Sequence, residues 1–218
     1  MTEGRDESRL REELVRQYKH IQAIGLNELA SGNVSCRFGG GMLISASGAT
    51  AEDMSPDAIV KMSLDGEWEG ERKPSSEWRV HAAIYQHHES AQAVVHTHSD
   101  YCVALACHHL ALPGFHYMVG LFGGDDVPCV PYSTFGTEQL AQDVAQALGD
   151  RNACLLGSHG MICRSHNLKS AVELAHRLEI LCRQYLLARQ LGEPRVLTEA
   201  EWDEFFERVE KVRYGTFI

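Results

Sequence analysis

The stretch Val94-Val95-His96-Thr97-His98 constrains this chain more than any other. A short apolar run rich in β-branched residues reads as a buried strand. Side chains on a strand alternate between its faces, so His96 and His98 leave the end of that strand pointing the same way. Two imidazoles on one face form half of a metal site. A further histidine, His159, follows a second apolar run in Leu155-Leu156-Gly157-Ser158-His159-Gly160, and an acid, Glu77, stands upstream in Lys73-Pro74-Ser75-Ser76-Glu77-Trp78. Three histidines and a carboxylate suit Zn²⁺, or a similar divalent ion, in an open catalytic site.

The chain holds 12 histidines, so the others must be sorted from these. His87-His88 and His108-His109 are adjacent pairs, and neighbours on a helix or strand diverge, which places them at the surface or a rim. His20, His81, His116, His166 and His176 have no local signature and read as structural.

A chain of 218 residues is enough for a substantial core, and one domain spanning 1–218 is the expectation. A net charge of −10 argues against a nucleic-acid partner, which asks for a basic face. It leaves room for a phosphorylated small substrate, because backbone amides, hydroxyls and a metal hold phosphate without a cationic surface. No apolar run reaches membrane-spanning length. The polar start, Met1 to Arg11, does not read as a signal peptide. The seven cysteines show no CxxC and mostly sit among apolar neighbours, as reduced core residues of a cytoplasmic protein do.

Leu10, Leu14, Tyr18, Ile21, Ile24 and Leu29 recur at helical spacing, which predicts an opening helix from Arg5 to Leu29. Ser31-Gly32-Asn33 breaks it. Val34 to Phe38 and Met42 to Ser45 predict a hairpin around Gly39-Gly40-Gly41, and Ile59 to Leu64 with Gly66 to Glu69 a second strand pair. Pro74-Ser75-Ser76 leads into a helix ending near His88. A helix through Ala104 follows the histidine strand. Thr137 to Leu148 is helical, Ala153 to Leu156 and Met161 to Cys163 flank His159 as a hairpin, and Asn167 to Leu191 is a long amphipathic helix. Thr198 and Glu201 have capping-box spacing and start a last helix to about Arg213. Short strands with helices at both ends of the chain predict an α/β fold, a central and mainly antiparallel sheet covered by helices.

Several motifs in one order make the pattern more specific. Gly32-Asn33-Val34-Ser35, Ser47-Gly48, Pro74-Ser75-Ser76-Glu77, His96-Thr97-His98 and His159-Gly160 resemble the class II aldolase/adducin family in order and spacing. His116-Tyr117-Met118, Gly123-Gly124, Val127-Pro128-Cys129 and Tyr132-Ser133-Thr134-Phe135-Gly136-Thr137 add to the likeness, which runs from about Gly32 to Leu191 and echoes weakly in Tyr214-Gly215. The resemblance implies a three-layer αβα fold and a zinc-dependent aldolase. Such an enzyme would cleave a ketose 1-phosphate, of the fuculose or ribulose type or with a methylthio tail, to dihydroxyacetone phosphate and an aldehyde.

It also implies roles. His96, His98 and His159 bind one Zn²⁺ per subunit, with Glu77 completing the coordination and then acting as acid/base. Asn33, Ser47, Gly48, Ser75 and Ser76 hold the substrate phosphate. Tyr117 and Tyr214 reach the site from a neighbouring subunit, in a homotetramer whose sites lie at subunit interfaces. Some residues depart from the family's pattern. Ala30 stands where the fuculose-phosphate branch carries threonine, Ser47 replaces a threonine, and Val119-Gly120-Leu121-Phe122 is bulkier than the run expected there. Asp126 occupies the place of a catalytic aspartate in related pentulose-phosphate 4-epimerases, which keeps that activity as the alternative, whereas Glu77 is the aldolase-type residue. A metal-free, adducin-like binding module is the remaining reading, and the intact ligand set argues against it.

Overall fold

The computed structural model describes residues 2–212. Thirteen elements follow one another: α1 (Thr2–Ala23), β1 (Asn33–Phe38), β2 (Gly41–Ser45), β3 (Ile59–Met62), α2 (Trp78–His87), β4 (Ala93–Thr97), α3 (Asp100–Ala106), β5 (Cys129–Val130), α4 (Glu138–Leu148), β6 (Ala153–Leu156), β7 (Gly160–Ser165), α5 (Leu168–Arg189) and α6 (Glu199–Val212). The strands form one seven-stranded sheet in the order β3-β2-β1-β4-β7-β6-β5. Every pairing is antiparallel except β5 with β6.

Alternation along the strands splits the core in two. Val34, Cys36, Leu43, Val95, Leu155 and Cys163 face α1, α3 and α5. Met42, Ile44, Val94, Cys154, Leu156 and Ile162 face α2 and α4. Both faces of the sheet are therefore apolar, and the result is the expected three-layer αβα sandwich. Each fully buried aliphatic side chain contributes roughly 1.5–3 kcal/mol, so most of the stability resides in these two layers.

Local expectations hold with corrections. Helix α1 stops at Ala23, not Leu29, because Gly25 takes a left-handed φ of +75° and the chain turns there. Leu26 is still buried, but from the loop, while Leu29 is exposed. The segment Gly66 to Glu69 is no strand: it contributes a single bridge, Met62 to Trp68. Strand β5, two residues long, and a 3₁₀ turn at Tyr117–Phe122 lie between α3 and α4, where the sequence pattern marks no element. The capping box of α6 forms: Glu201 accepts from the Thr198 backbone N–H at 2.8 Å, and Thr198 Oγ1 accepts from the Glu201 N–H at 3.4 Å. Five of the cysteines are buried, Cys107 is exposed and Cys129 half-buried, and all seven are free thiols. No helix among the described residues is long and apolar enough to cross a membrane.

Candidate metal centre and its cleft

The β1–β4 and β4–β7 pairings build the site. Strand β4 carries His96 at its end, opposite Asn33 of β1 on one side and Ile162 of β7 on the other. His98 follows one residue past the strand, and His159 immediately precedes β7. The neighbouring strands must approach closely at this point, and Gly160 allows it. A Cβ there would collide with the Thr97 carbonyl oxygen and lie 3.2 Å from the His98 ring. Glu77 arrives from the other layer, at the N-terminal boundary of α2.

The three imidazoles meet edge to face with centroids 4.8–4.9 Å apart. His96 Nε2 lies 2.9 Å from His98 Nε2 and 3.0 Å from Glu77 Oε2, and His159 Nε2 lies 3.2 Å from Glu77 Oε1. Together, Glu77, His96, His98 and His159 offer four donor atoms within 4.8 Å of one another. The donor chemistry fits a divalent ion of the zinc type: three imidazole nitrogens and one carboxylate oxygen, converging and partly buried. Orientation also fits. His96 Nδ1 sits 2.8 Å from the Met161 carbonyl, which can only accept, so Nδ1 carries a proton and Nε2 is the nitrogen turned to the centre, the one whose lone pair a metal would take.

Electrostatics of the cluster follow from crowding. Burial works against the Glu77 charge, but His96, His159 and the hydrogen bond from Asn33 more than offset it and hold the carboxyl well below the usual range. Burial lowers His96, yet Glu77 beside it and the Met161 carbonyl raise it overall. Burial, then the neighbouring histidines, push His98 down to about 4; burial and His96 do the same to His159. A neutral imidazole is the form that binds a metal.

A cleft of about 400 Å³ opens beside the centre, lined by Glu77, His98 and His159 on one side. Asn33, Ser47, Gly48, Ser75 and Ser76, which the sequence places in three separate motifs, line the other. Backbone bonds join these loops: Ser75 N–H to the Ser45 carbonyl at 3.0 Å and Ser47 N–H to the Lys73 carbonyl at 3.0 Å. Ala30, Tyr132 and Phe135 complete the rim. Tyr117 is not part of this lining; it lies on the 3₁₀ turn, half-exposed, stacked on His116 at 4.8 Å. Tyr214 lies outside the described residues. Asp126 is held by Arg151, whose Nε and Nη2 donate to it at 2.9 and 2.8 Å, and it does not line the cleft.

Three supporting residues went unread in the sequence. Asn27 Oδ1 accepts from the His98 backbone N–H at 3.1 Å. Glu179, on α5, accepts from the N–H groups of Tyr101 and Cys102 at 3.0 Å each and so caps α3, the helix that starts two residues after His98. His81, read as merely structural, is fully buried and contacts Asn33. It stands four residues after Glu77 on α2, a same-face spacing that the sequence displays.

A largely antiparallel αβα sheet with a Glu/His₃ cluster at its strand ends defines the class: the chain belongs to the family of class II aldolases and adducin N-terminal domains, whose model matches residues 12–186. Within it, the chain is 42% identical over 199 residues to the 5-methylthioribulose-1-phosphate/5-deoxyribulose-1-phosphate aldolase of Rhodospirillum rubrum, covering 91% of this chain and 90% of that one. It is 39% identical over 197 residues to the L-fuculose phosphate aldolase of Escherichia coli, covering 90% and 92%. A solved L-fuculose 1-phosphate aldolase superposes with a TM-score of 0.88 at 34% identity, over 92% of this chain and 95% of that one.

Proposed function

We propose that this protein is a Zn²⁺-dependent aldolase that cleaves a ketose 1-phosphate to dihydroxyacetone phosphate and an aldehyde. One observation carries the reading: the Glu/His₃ cluster and the polar loops of Asn33, Ser47-Gly48 and Ser75-Ser76 form two walls of one cleft. Relatives that act on 5-methylthioribulose, 5-deoxyribulose and fuculose phosphates support this substrate class.

His96, His98, His159 and Glu77 would hold the ion. When bound, it supplies a Lewis acid for the negative charge that grows on the former carbonyl oxygen as the carbon–carbon bond breaks. The chain's own residues do the rest. Ser47, Gly48, Ser75, Ser76 and Asn33 bind the phosphate, assisted by the positive N-terminal end of α2, which begins at Trp78 just past Ser75-Ser76. This remote handle fixes the reacting bonds beside the cluster. The bond between C3 and C4 breaks as the C4 hydroxyl passes its proton to a base, and the electron pair left on C3 takes up a proton that the Glu77 carboxylate first collects from solvent. Tyr117 of a neighbouring subunit in a homotetramer, with Tyr214, serves the C4 oxygen. The protein works in the cytoplasm, with no nucleic-acid or membrane partner.

Incubation with a panel of ketose 1-phosphates tests the proposal. A trappable triose phosphate should appear in a coupled reductase assay, and sedimentation should give a tetramer. If no ketose 1-phosphate releases a trappable triose from the metal-loaded protein, the activity is wrong.

A further inference from the structure

A chain of buried polar side chains runs inward from Glu77, and with Glu77 ionised and His81 neutral its direction is set at every link. A carboxylate only accepts, so the Asn33 group 3.0 Å from Glu77 Oε2 is the amide nitrogen, Nδ2. That leaves Asn33 Oδ1, an acceptor, facing His81 Nε2 at 2.5 Å, so His81 carries its proton on Nε2. His81 Nδ1 is then an acceptor, and Ser35 Oγ, 2.7 Å away, donates to it. Ser35 Oγ in turn accepts from the Tyr85 hydroxyl at 2.7 Å. Asn33, Ser35, His81 and Tyr85 are all at most 3% exposed. His81 and Tyr85 share one face of α2, with Glu77 at its N-cap four residues before His81, and Asn33 and Ser35 share one face of β1.

We propose that His81 is a positioning residue for the proton-moving carboxylate, acting through Asn33. An unrestrained amide can rotate half a turn and present its oxygen to Glu77, replacing attraction by repulsion. The Nε2–H of His81 forbids that rotation, and Ser35 and Tyr85 hold His81 in the tautomer that does so. Asn33 therefore does more than line the cleft: it clamps Glu77 through its Nδ2 hydrogen. The functional consequence rests on the aldolase reading; the hydrogen-bond direction does not.

Two measurements test it separately. In metal-free protein labelled with ¹⁵N-histidine, His81 should show the neutral Nε2–H tautomer with a slowly exchanging proton; an Nδ1–H tautomer overturns the proposal whatever the enzyme does. In metal-loaded protein, His81→Leu should slow hydrogen exchange into dihydroxyacetone phosphate by roughly 10-fold or more, the scale of one lost buried hydrogen bond. Metal content should stay at the wild-type level. His81→Gln, which keeps a donor near the Nε2 position, should recover most of the rate. In an Asn33→Leu background, His81→Leu should have no further effect, because both act through one link. Wild-type exchange per bound metal in His81→Leu, or fully additive losses in the double variant, would overturn it. If His81→Leu does not fold, the tautomer of the wild-type chain still decides.

Discussion

Asn33 and His96 are register partners across β1 and β4, and both reach the same oxygen, Oε2 of Glu77, at 3.0 Å. The backbone pairing of two strands thus fixes a contact between three chemically different groups. A one-residue slip of β1 would turn Asn33 to the opposite face of the sheet and leave the carboxylate without its clamp.

Purified protein should contain about one Zn²⁺ per chain, as a three-histidine centre with a carboxylate does. Replacing His96, His98 or His159 by alanine should remove metal and cleavage together, measured by elemental analysis beside the coupled assay. Full activity in a metal-free preparation contradicts the model.

Glu77→Gln tests the proton transfer. The amide is nearly isosteric but takes up no proton. Hydrogen exchange into dihydroxyacetone phosphate should fall roughly 10²-fold or more, the usual loss for a positioned acid/base, while the fold is retained. Exchange at the wild-type rate would mean that another group moves the carbon proton.

Much of this was legible in the sequence, and the misses have physical reasons. His96, His98 and His159 stand out because strand alternation and an apolar run that ends in histidine are local signals. The long helices α4 and α5 and the β1–β2 hairpin were equally plain, since periodicity is a short-range property. What stayed hidden was non-local. Nothing near Asn33 says that it pairs with His96, and nothing near Glu179 says that it caps a helix 77 residues earlier. Strand β5 is too short to show a period and forms only because β6 offers it an edge. His81 has no local signature of a functional role; only its four-residue spacing from Glu77 is visible in the sequence.

Ser76→Asp separates phosphate binding from stability. Ser76 is exposed just ahead of α2, where a carboxylate interacts favourably with the helix dipole, so thermal stability should hold or rise slightly. The same charge repels a phosphate dianion in the cleft. KM for the ketose 1-phosphate should rise far more than kcat falls. An unchanged KM would move the phosphate elsewhere.

Acid should destabilise the metal-free protein. His81, His98 and His159 are lowered by burial to about 3, 4 and 4, from an ordinary 6.5. The unfolded chain therefore binds more protons than the folded one below pH 6.5, and stability falls as pH falls through that window. Glu77, lowered by its histidine neighbours against the effect of burial, adds a loss in the same direction at lower pH. His96, raised by Glu77 against the effect of burial, acts oppositely and contributes stability that is lost as pH rises. Three groups outweigh one below pH 6.5, so Tm should drop steadily from pH 6.5 to 4. A flat profile over that range would contradict the buried, neutral histidines.

The last prediction separates cleavage from epimerisation. An epimerase must hold the aldehyde, turn it and rejoin it before release, which requires proton-transferring groups on both faces of the carbonyl. Asp126 is the residue that the sequence offered for the second face. In the structure its carboxylate is engaged by Arg151 through two nitrogens, and Asp125 shares the same guanidinium at 3.0 Å. An aspartate held in this way serves to tie the Gly123-Gly124 loop to the start of β6. Asp126→Asn should then keep most of the cleavage activity and cost less than about 1 kcal/mol of stability, because the pair is partly exposed. Dihydroxyacetone phosphate should leave the enzyme and be caught by the coupled reductase. A product that is only the C4-epimeric phosphate, with no triose trapped and all activity gone in Asp126→Asn, would instead assign this site to an epimerase.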